Sequence, residues 1–521
     1  MVAELAHLQV SRGLRNRVLG KNPDFGAFAA YALARDGDLE AAVMAVENAR
    51  AVSLSEALRL GSADVAWLNE HNRIELAQRY EAAAARWLAA SAAGLDRDLG
   101  GDNQDADAGA QDANVRAART ELERVAAEIR AATGRDDFLR PPAFIDVVAG
   151  APEPLVYLVA TEFGGVALIV ADGSVRSLDL PALTSNQAVQ WARALLPDCT
   201  LNWWARVDRV AKELGEAVLG PLTGQLGRGP VTLIRSGYLE MLPLNAAWTP
   251  EPDAPDHRRH AIDAFTIRTA PNARVLAAAV ASAERAGDTG VLAVHDPRPV
   301  SAPPLRQAAV EAAGVRAHFA AGIVLAGEEA DPEAALRLLR AHDVAHFACH
   351  GRADILTPLD SSLTLAGDRP LRLRDILGLR ASAGSRPLRL VVLSACETGA
   401  VGVHVPNEVV SLASGLLEAG AAGVIASQWR VPDLSTALLM LRFYAEWKDG
   451  GLPPVEALPA AQRWLRDTTN KEKAEHFAPG APHGLPTEAA RSLWRALVRL
   501  EPERRAFTHP VHWAGFVFTG A

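Results

Sequence analysis

AHDVAHFACHG (residues 341–351) and RLVVLSACETG (residues 389–399) decide how the rest of the chain is read. Each is a short apolar run ending in small, reactive residues: Val344–Ala348 runs into Cys349-His350-Gly351, and Leu390–Leu393 into Ser394-Ala395-Cys396. Runs of this length bounded by glycine fit central strands of a parallel sheet, buried on both faces. The reactive crevice of such a sheet lies beyond the carboxyl ends of its strands. If the two strands are neighbours, His350 and Cys396 meet there. Their separation, 396 − 350 = 46 residues, leaves room for a strand, a crossover and a return.

A thiolate is the attacking species of a cysteine nucleophile, and a nearby imidazole raises its fraction or takes its proton. Gly351 has no side chain, so its N–H can approach a carbonyl oxygen closely and, with the N–H of Cys396, form an oxyanion hole. A buried cysteine beside a polar histidine is also common as plain structure, and spacing alone leaves both readings open. His346 lies four residues before His350, a zinc-like spacing on a helix. On a strand, residues an even number apart merely share a face, which predicts a structural histidine. Cys349 points to the opposite face from His350 and is not expected to be the nucleophile.

HFACHG and LSACETG resemble the paired motifs of the CHAT domain, a caspase-like cysteine peptidase family related to separase and often joined to tetratricopeptide repeats. TPLDSSLTL (357–365), PNEVVSLASGLLEAGAAGVIASQWRVPDLST (406–436), LMLRFYAEW (439–447), ALPAAQRWL (457–465) and HPVHWAGFVFTG (509–520) continue the resemblance in order. It covers roughly residues 140 to 521. It implies an α/β fold, a mostly parallel caspase-like sheet flanked by helices, with an inactive half (140–289) before a catalytic half (290–521). It also implies a cysteine endopeptidase with Cys396 and His350 as the dyad and no cofactor. The stretch Gln428-Trp429-Arg430-Val431-Pro432-Asp433 corresponds to part of the pocket for the side chain preceding the scissile bond. Asp433 would suit a basic side chain, as in separase, and Arg430 an acidic one, as in caspases. Asp433 is equally placed to cap the helix Leu434–Trp447. A non-catalytic caspase-fold scaffold is the alternative function.

The remaining features set bounds. The 521 residues, 49% hydrophobic and 22% charged, predict a globular multidomain protein. A net charge of −9 gives no general basis for binding nucleic acid or an anionic membrane. Three cysteines are too few for a disulfide framework. MVAELAHLQVSRGLRNR lacks a signal-peptide core and no 18-residue apolar run occurs, which predicts a soluble cytoplasmic protein.

Residues 1–93 are expected to be helical, with Gly37 ending one helix and Asp38 capping the next. Phe28, Tyr31, Ala32, Gly37, Ala41 and Ala42 resemble a tetratricopeptide helix pair, which either simply covers the core or offers a partner-binding groove; the resemblance to the peptidase family implies activation by a protein partner at this end, in bacterial defence or programmed cell death. Residues 94–139 are expected to be an acidic mobile linker (Asp96–Asn114) and then a helix with Leu122, Val125, Ala126 and Ile129 on one face. The aspartates of the linker lack the closing glutamate of a calcium loop, so no metal is expected. Cys199 has no motif around it and is expected to be a buried structural thiol. The helix Pro304–Ala313 is expected to end at Gly314, and Asn407 and Glu408 to cap the helix running to Ala419.

Overall fold

The computed structural model describes residues 25–50, 68–69, 71–98, 105–134, 138, 143–196, 202–254, 256–354, 360–377, 387–395, 411–481 and 484–521. Its strands are β1 (Leu155–Thr161), β2 (Gly164–Ala171), β3 (Ser174–Leu180), β4 (Gly229–Arg235), β5 (Trp248–Pro250), β6 (Arg258–His260), β7 (Phe265–Thr269) and β8 (Gly290–Pro297). There follow β9 (Ala321–Gly327), β10 (Val344–Ala348), β11 (His350–Arg352), β12 (Ser362–Leu365), β13 (Arg369–Arg372), β14 (Leu390–Leu393), β15 (Gly423–Ser427) and β16 (Phe516–Gly520). Eleven form one sheet in the order β3-β2-β1-β4-β7-β16-β15-β14-β10-β8-β9. The strands β15, β14, β10, β8 and β9 run parallel, and so do β1, β4, β7 and β16. The two sets meet at the antiparallel pair β15–β16. The expected mostly parallel α/β sheet is present.

Alternation along the central strands builds two cores. Ala345, Phe347, Val391, Leu393, Val424 and Ala426 face one helical layer, which includes Pro332–Leu339 and Leu412–Glu418. Val344, Leu390, Val392 and Ile425 face the other, which includes Ala308–Ala317 and Asp433–Tyr444. This is why β10 and β14 are apolar at every position except His346.

The helices Phe25–Asp36 and Leu39–Ala49 form the expected pair, with Gly37 at φ 90° and Asp38 accepting from Ala41 N. They cover one face of the first half, packing Ala30, Val43 and Val46 against Leu155, Tyr157 and Leu168. Glu47 is buried there. It accepts from Tyr157 Oη and from Ala273 N, each at 2.8 Å, and so holds the start of the helix Ala273–Arg285.

Three expectations need correction. The acidic tract is not a loop where it is described: helices span Ile74–Asp98 and Asp105–Thr133, taking in Asp96–Asp98 and Asp105–Asn114. Alanine, the best helix former, and aspartate near a helix start outweigh the low hydrophobicity that suggested mobility. Leu122, Val125, Ala126 and Ile129 do form the buried face. Gly314 does not end a helix but lies inside Ala308–Ala317, because a Cβ there would sit 2.1 Å from Leu441 Cδ2. The helix Leu412–Glu418 is capped by Ser411, which accepts from Ser414 N; Asn407 and Glu408 lie outside the described residues. Among the described residues no helix is long and apolar enough to cross a membrane.

Gly314→Val should overpack this contact and lower stability by roughly 1–3 kcal/mol, read as a lower denaturant midpoint at unchanged slope. A raised midpoint, as for an ordinary glycine-to-alanine gain in a helix, would contradict the close approach.

Candidate active site

The ladder between β10 and β14 runs from Val344↔Leu390 to Phe347↔Leu393. Its offset, 390 − 344 = 46, equals the sequence separation of His350 and Cys396. Both strands finish at the same end of the sheet. Cys349 belongs to the core shared by Ala345 and Phe347, on the face away from His346, and is buried as expected. Past it the chain enters a separate three-stranded sheet, β11-β12-β13, which opens with His350 and has Gly351 opposite Leu363. Cys396, Glu397, Thr398 and Gly399 lie outside the described residues, as does Cys199. The residues before Cys396 are fixed: Ser427 Oγ donates to Ala395 O at 2.6 Å, tying the tip of β14 to that of β15. Ser394 Oγ is buried with no hydrogen-bond partner among the described residues.

His350 Nε2 is 2.8 Å from Pro303 O. A carbonyl only accepts, so the proton sits on Nε2 and Nδ1 carries the lone pair. The loop bearing Pro303 is held at three places. Ser301 donates through N and Oγ to Asp368 at 2.8 and 2.6 Å, and Gly367 N donates to Pro299 O at 2.8 Å. Gln307 N donates to Asp433 Oδ2 at 3.0 Å. The Ser301 bonds hold the Asp368 carboxyl below its ordinary value.

Beneath this loop lies a buried polar group. His346 Nε2 is 2.9 Å from Glu311 Oε1, and Tyr444 Oη is 3.3 Å from His346 Nδ1. The two rings meet edge to face at 5.6 Å. A neutral imidazole satisfies all three groups, with Nε2–H donating to the carboxylate and Nδ1 accepting from the phenol. Burial first, then the Glu311 charge, pushes the Tyr444 phenol well up. His346 is therefore the structural histidine that strand geometry predicted. His295 pairs with Ala348 across the β8–β10 ladder. Its Nδ1 is buried without a partner among the described residues and its pKa is lowered, by burial first. Glu311, Tyr444 and His295 escaped the sequence reading, since the contacts to Glu311 and Tyr444 span 35 and 98 residues and no local pattern marks them.

The expected pocket residues divide. Trp429 is a core residue: its indole donates to Val511 O at 3.1 Å and lies edge-on to Trp203 at 6.0 Å. Gln428 turns toward the first half, donating through Nε2 to Glu240 O at 3.4 Å. Arg430 is exposed and Asp433 half-buried. Asp433 is the first residue of its helix, which has no side-chain cap. Its carboxylate reaches across to Gln307 N, so the expected cap becomes a clamp on the Pro303 loop. Burial raises its pKa, with the Glu311 charge adding to the rise and the Gln307 bond opposing it.

The CHAT domain model matches residues 208–521, more than half of the chain. The chain belongs to the CHAT domain family. Among solved structures, this CHAT chain is similar to the Saccharomyces cerevisiae separase–securin complex at 10% identity and a TM-score of 0.45, covering 78% of this chain and 32% of that one. The Porphyromonas gingivalis RgpB pro- and mature-domain complex gives 10% identity and a TM-score of 0.30, covering 64% and 74%. The Arg-specific cysteine proteinase gingipain R gives 11% and 0.31, covering 63% and 69%. The chain thus spans about a third of the length of the separase structure. No curated protein matches it.

Glu311→Ala should leave His346 Nε2 buried without an acceptor. The expected loss is about 1–3 kcal/mol, measured by denaturant unfolding. A neutral effect would mean that the pair contributes nothing to the fold.

Proposed function

We propose that this CHAT chain is a cytoplasmic cysteine endopeptidase with Cys396 as nucleophile and His350 as base and then acid. The observation that carries the reading is the β10–β14 ladder, whose 46-residue offset is also the separation of the two residues. The His350 tautomer fits the role, because Nε2–H is engaged by Pro303 O and Nδ1 is the nitrogen able to take a proton. In this mechanism the Cys396 thiol gives its proton to Nδ1 and the sulfur bonds to the peptide carbonyl carbon. The N–H groups of Gly351 and Cys396 receive the oxyanion. On collapse the C–N bond breaks and the departing amine takes the proton from His350. Water, deprotonated by the same imidazole, then hydrolyses the thioester, and the thiolate regains its proton.

The pocket for the side chain preceding the scissile bond is basic-specific in this reading. Arg430 is exposed, whereas Asp433 is half-buried beside the loop that touches His350. A carboxylate there would pair with a guanidinium or ammonium preceding the scissile bond. Activation by a protein partner through the N-terminal helices, in bacterial defence or cell death, completes the proposal.

An activated-ketone peptide ending in Arg should label the protein, one ending in Asp should not, and Cys396→Ala should abolish labelling. Equal labelling of Cys396→Ala would remove that residue as nucleophile. Silence toward every probe with the activator present would favour the scaffold reading.

The raised Asp433 pKa gives a pH test. The pairing charge is present above the folded pKa and lost as pH falls through it, a loss that starts at higher pH than for an ordinary aspartate of 3.8. KM for Arg substrates should therefore climb on acidification while kcat follows its own profile. Asp433→Asn should raise KM about 10- to 100-fold, the worth of a hydrogen bond to a charged group, and remove that acid limb. An unchanged KM profile would exclude Asp433 from the pocket.

A further inference from the structure

β9 (Ala321–Gly327) closes one end of the eleven-stranded sheet, and its only strand neighbour among the described residues is β8. Its sequence, AGIVLAG, holds neither a charge nor a proline, the residues that usually keep a sheet edge from pairing with another chain. The strand at the opposite end, β3, carries Arg176 and Asp179, and Asp179 is paired with Arg35 at 2.7 Å. Along β9, Ile323 and Val324 alternate in face and are 40% and 37% exposed, while Leu325 is 7% exposed and packs in the core. Apolar side chains thus stand open on both faces of an open edge.

Parallel pairing turns alternate residues toward β8. Ala321 N donates to Thr289 O, and Gly327 O accepts from Arg298 N. Gly322, Val324 and Ala326 therefore present their N–H and C=O groups outward. Two of these carbonyls each accept one local bond, Gly322 O from Arg316 Nε and Ala326 O from Glu329 N, both at 3.2 Å. Among the described residues no such bond reaches Val324, about which the outward set is symmetric. The two ends of the strand also differ in charge. Before it, Arg316 donates to Gly322 O and Phe319 O and meets no carboxylate among the described residues. Its neighbours His318 and Lys448 are already paired, with Asp449 and Asp288. After it, Glu328 and Glu329 are exposed, and the nearby Arg298 is paired with Asp296.

We propose that β9 is the pairing edge of a homodimer, in which a second copy of this chain adds its own β9 antiparallel about a two-fold axis at Val324. Val324 then exchanges both backbone bonds with the partner's Val324, Gly322 meets the partner's Ala326, and Ile323 lies against the partner's Leu325. Antiparallel order brings the Arg316 end of one copy to the Glu328–Glu329 end of the other; parallel order would set like charge against like. A second copy thus satisfies both the symmetry of the edge and its charges. The proposal is independent of the peptidase reading.

The test follows the full chain by sedimentation velocity from low to high micromolar concentration, with hydrogen exchange read over residues 321–327. A reversible monomer–dimer equilibrium is expected, with exchange at Val324 slowing as the dimer fills and the dissociation constant rising with salt. Val324→Arg sets like charges against each other on the axis and should weaken the dimer about tenfold or more. Because the position is open, the thermal midpoint of the dilute monomer should stay unchanged. Glu328→Lys combined with Glu329→Lys should weaken the dimer and remove its salt dependence. Val324→Cys should form a covalent dimer on mild oxidation, since residues facing each other in a hydrogen-bonded antiparallel pair lie about 5.5 Å apart, within disulfide reach. Ile323→Cys, on the other face and not opposite itself, should cross-link no more than the unaltered chain. A monomer at every concentration, or a dimer indifferent to Val324→Arg, would overturn the proposal. So would slow exchange at Val324 in the dilute monomer, which would mean that another segment of the same chain covers the edge.

Discussion

Everything at the candidate site depends on the parallel pairing of β10 with β14. Parallel neighbours cannot be joined by a tight turn, so the chain between them must leave the sheet and return. It does so through the small sheet β11-β12-β13 and the helix Leu373–Leu377. Because both faces of the pair are buried, a one-residue slip would send His346 into the apolar layer of Phe347 and Leu393. The register is thereby set by two cores at once. This fixes the described tips, His350 on one side and Ser394-Ala395 on the other, before any site chemistry is considered.

The second constraint is the loop over His350. A neutral histidine can carry its proton on either ring nitrogen; the Pro303 carbonyl fixes it on Nε2. That carbonyl is only as well placed as its loop, which Asp368 holds at Ser301 and Asp433 holds at Gln307. Asp433 thus links loop position to the proposed pocket. Its carboxylate sits above the Glu311–His346–Tyr444 group, whose buried negative end disfavours a second charge nearby. The raised pKa of Asp433 follows from desolvation plus this neighbour.

Much of this was legible in the sequence because strand periodicity is local. Alternation along HFACHG separated His346 from Cys349, and Gly37-Asp38 announced a helix–helix turn. Where the reading failed, the deciding contact was remote. Gly314 looked like a helix terminator, but its purpose is to admit Leu441, which is distant in sequence. Asp433 fitted an N-cap until Gln307, 126 residues earlier, claimed its carboxylate. Trp429 looked available for ligand contact; Val511 and Trp203 bury it. The acidic tract failed differently: low hydrophobicity was weighed there above the helix propensity of its alanines.

The sheet also joins the two halves into one continuous structure. β7 of the first half touches β16, and β16 touches β15 of the second half. The bridging strand is Phe516–Gly520, far along the chain from both partners, and its pairing with β7 closes a loop of about 250 residues (519 − 269 = 250). Side chains reinforce the joint: Thr269 Oγ1 donates to Phe518 O at 2.9 Å, Arg268 Nη1 to Gly520 O at 3.2 Å, and Asn245 Nδ2 to Ala514 O at 2.8 Å. Contacts of such separation carry a large loop-closure cost. Residues 514–520 therefore offset that closure cost by bonding to both halves at once.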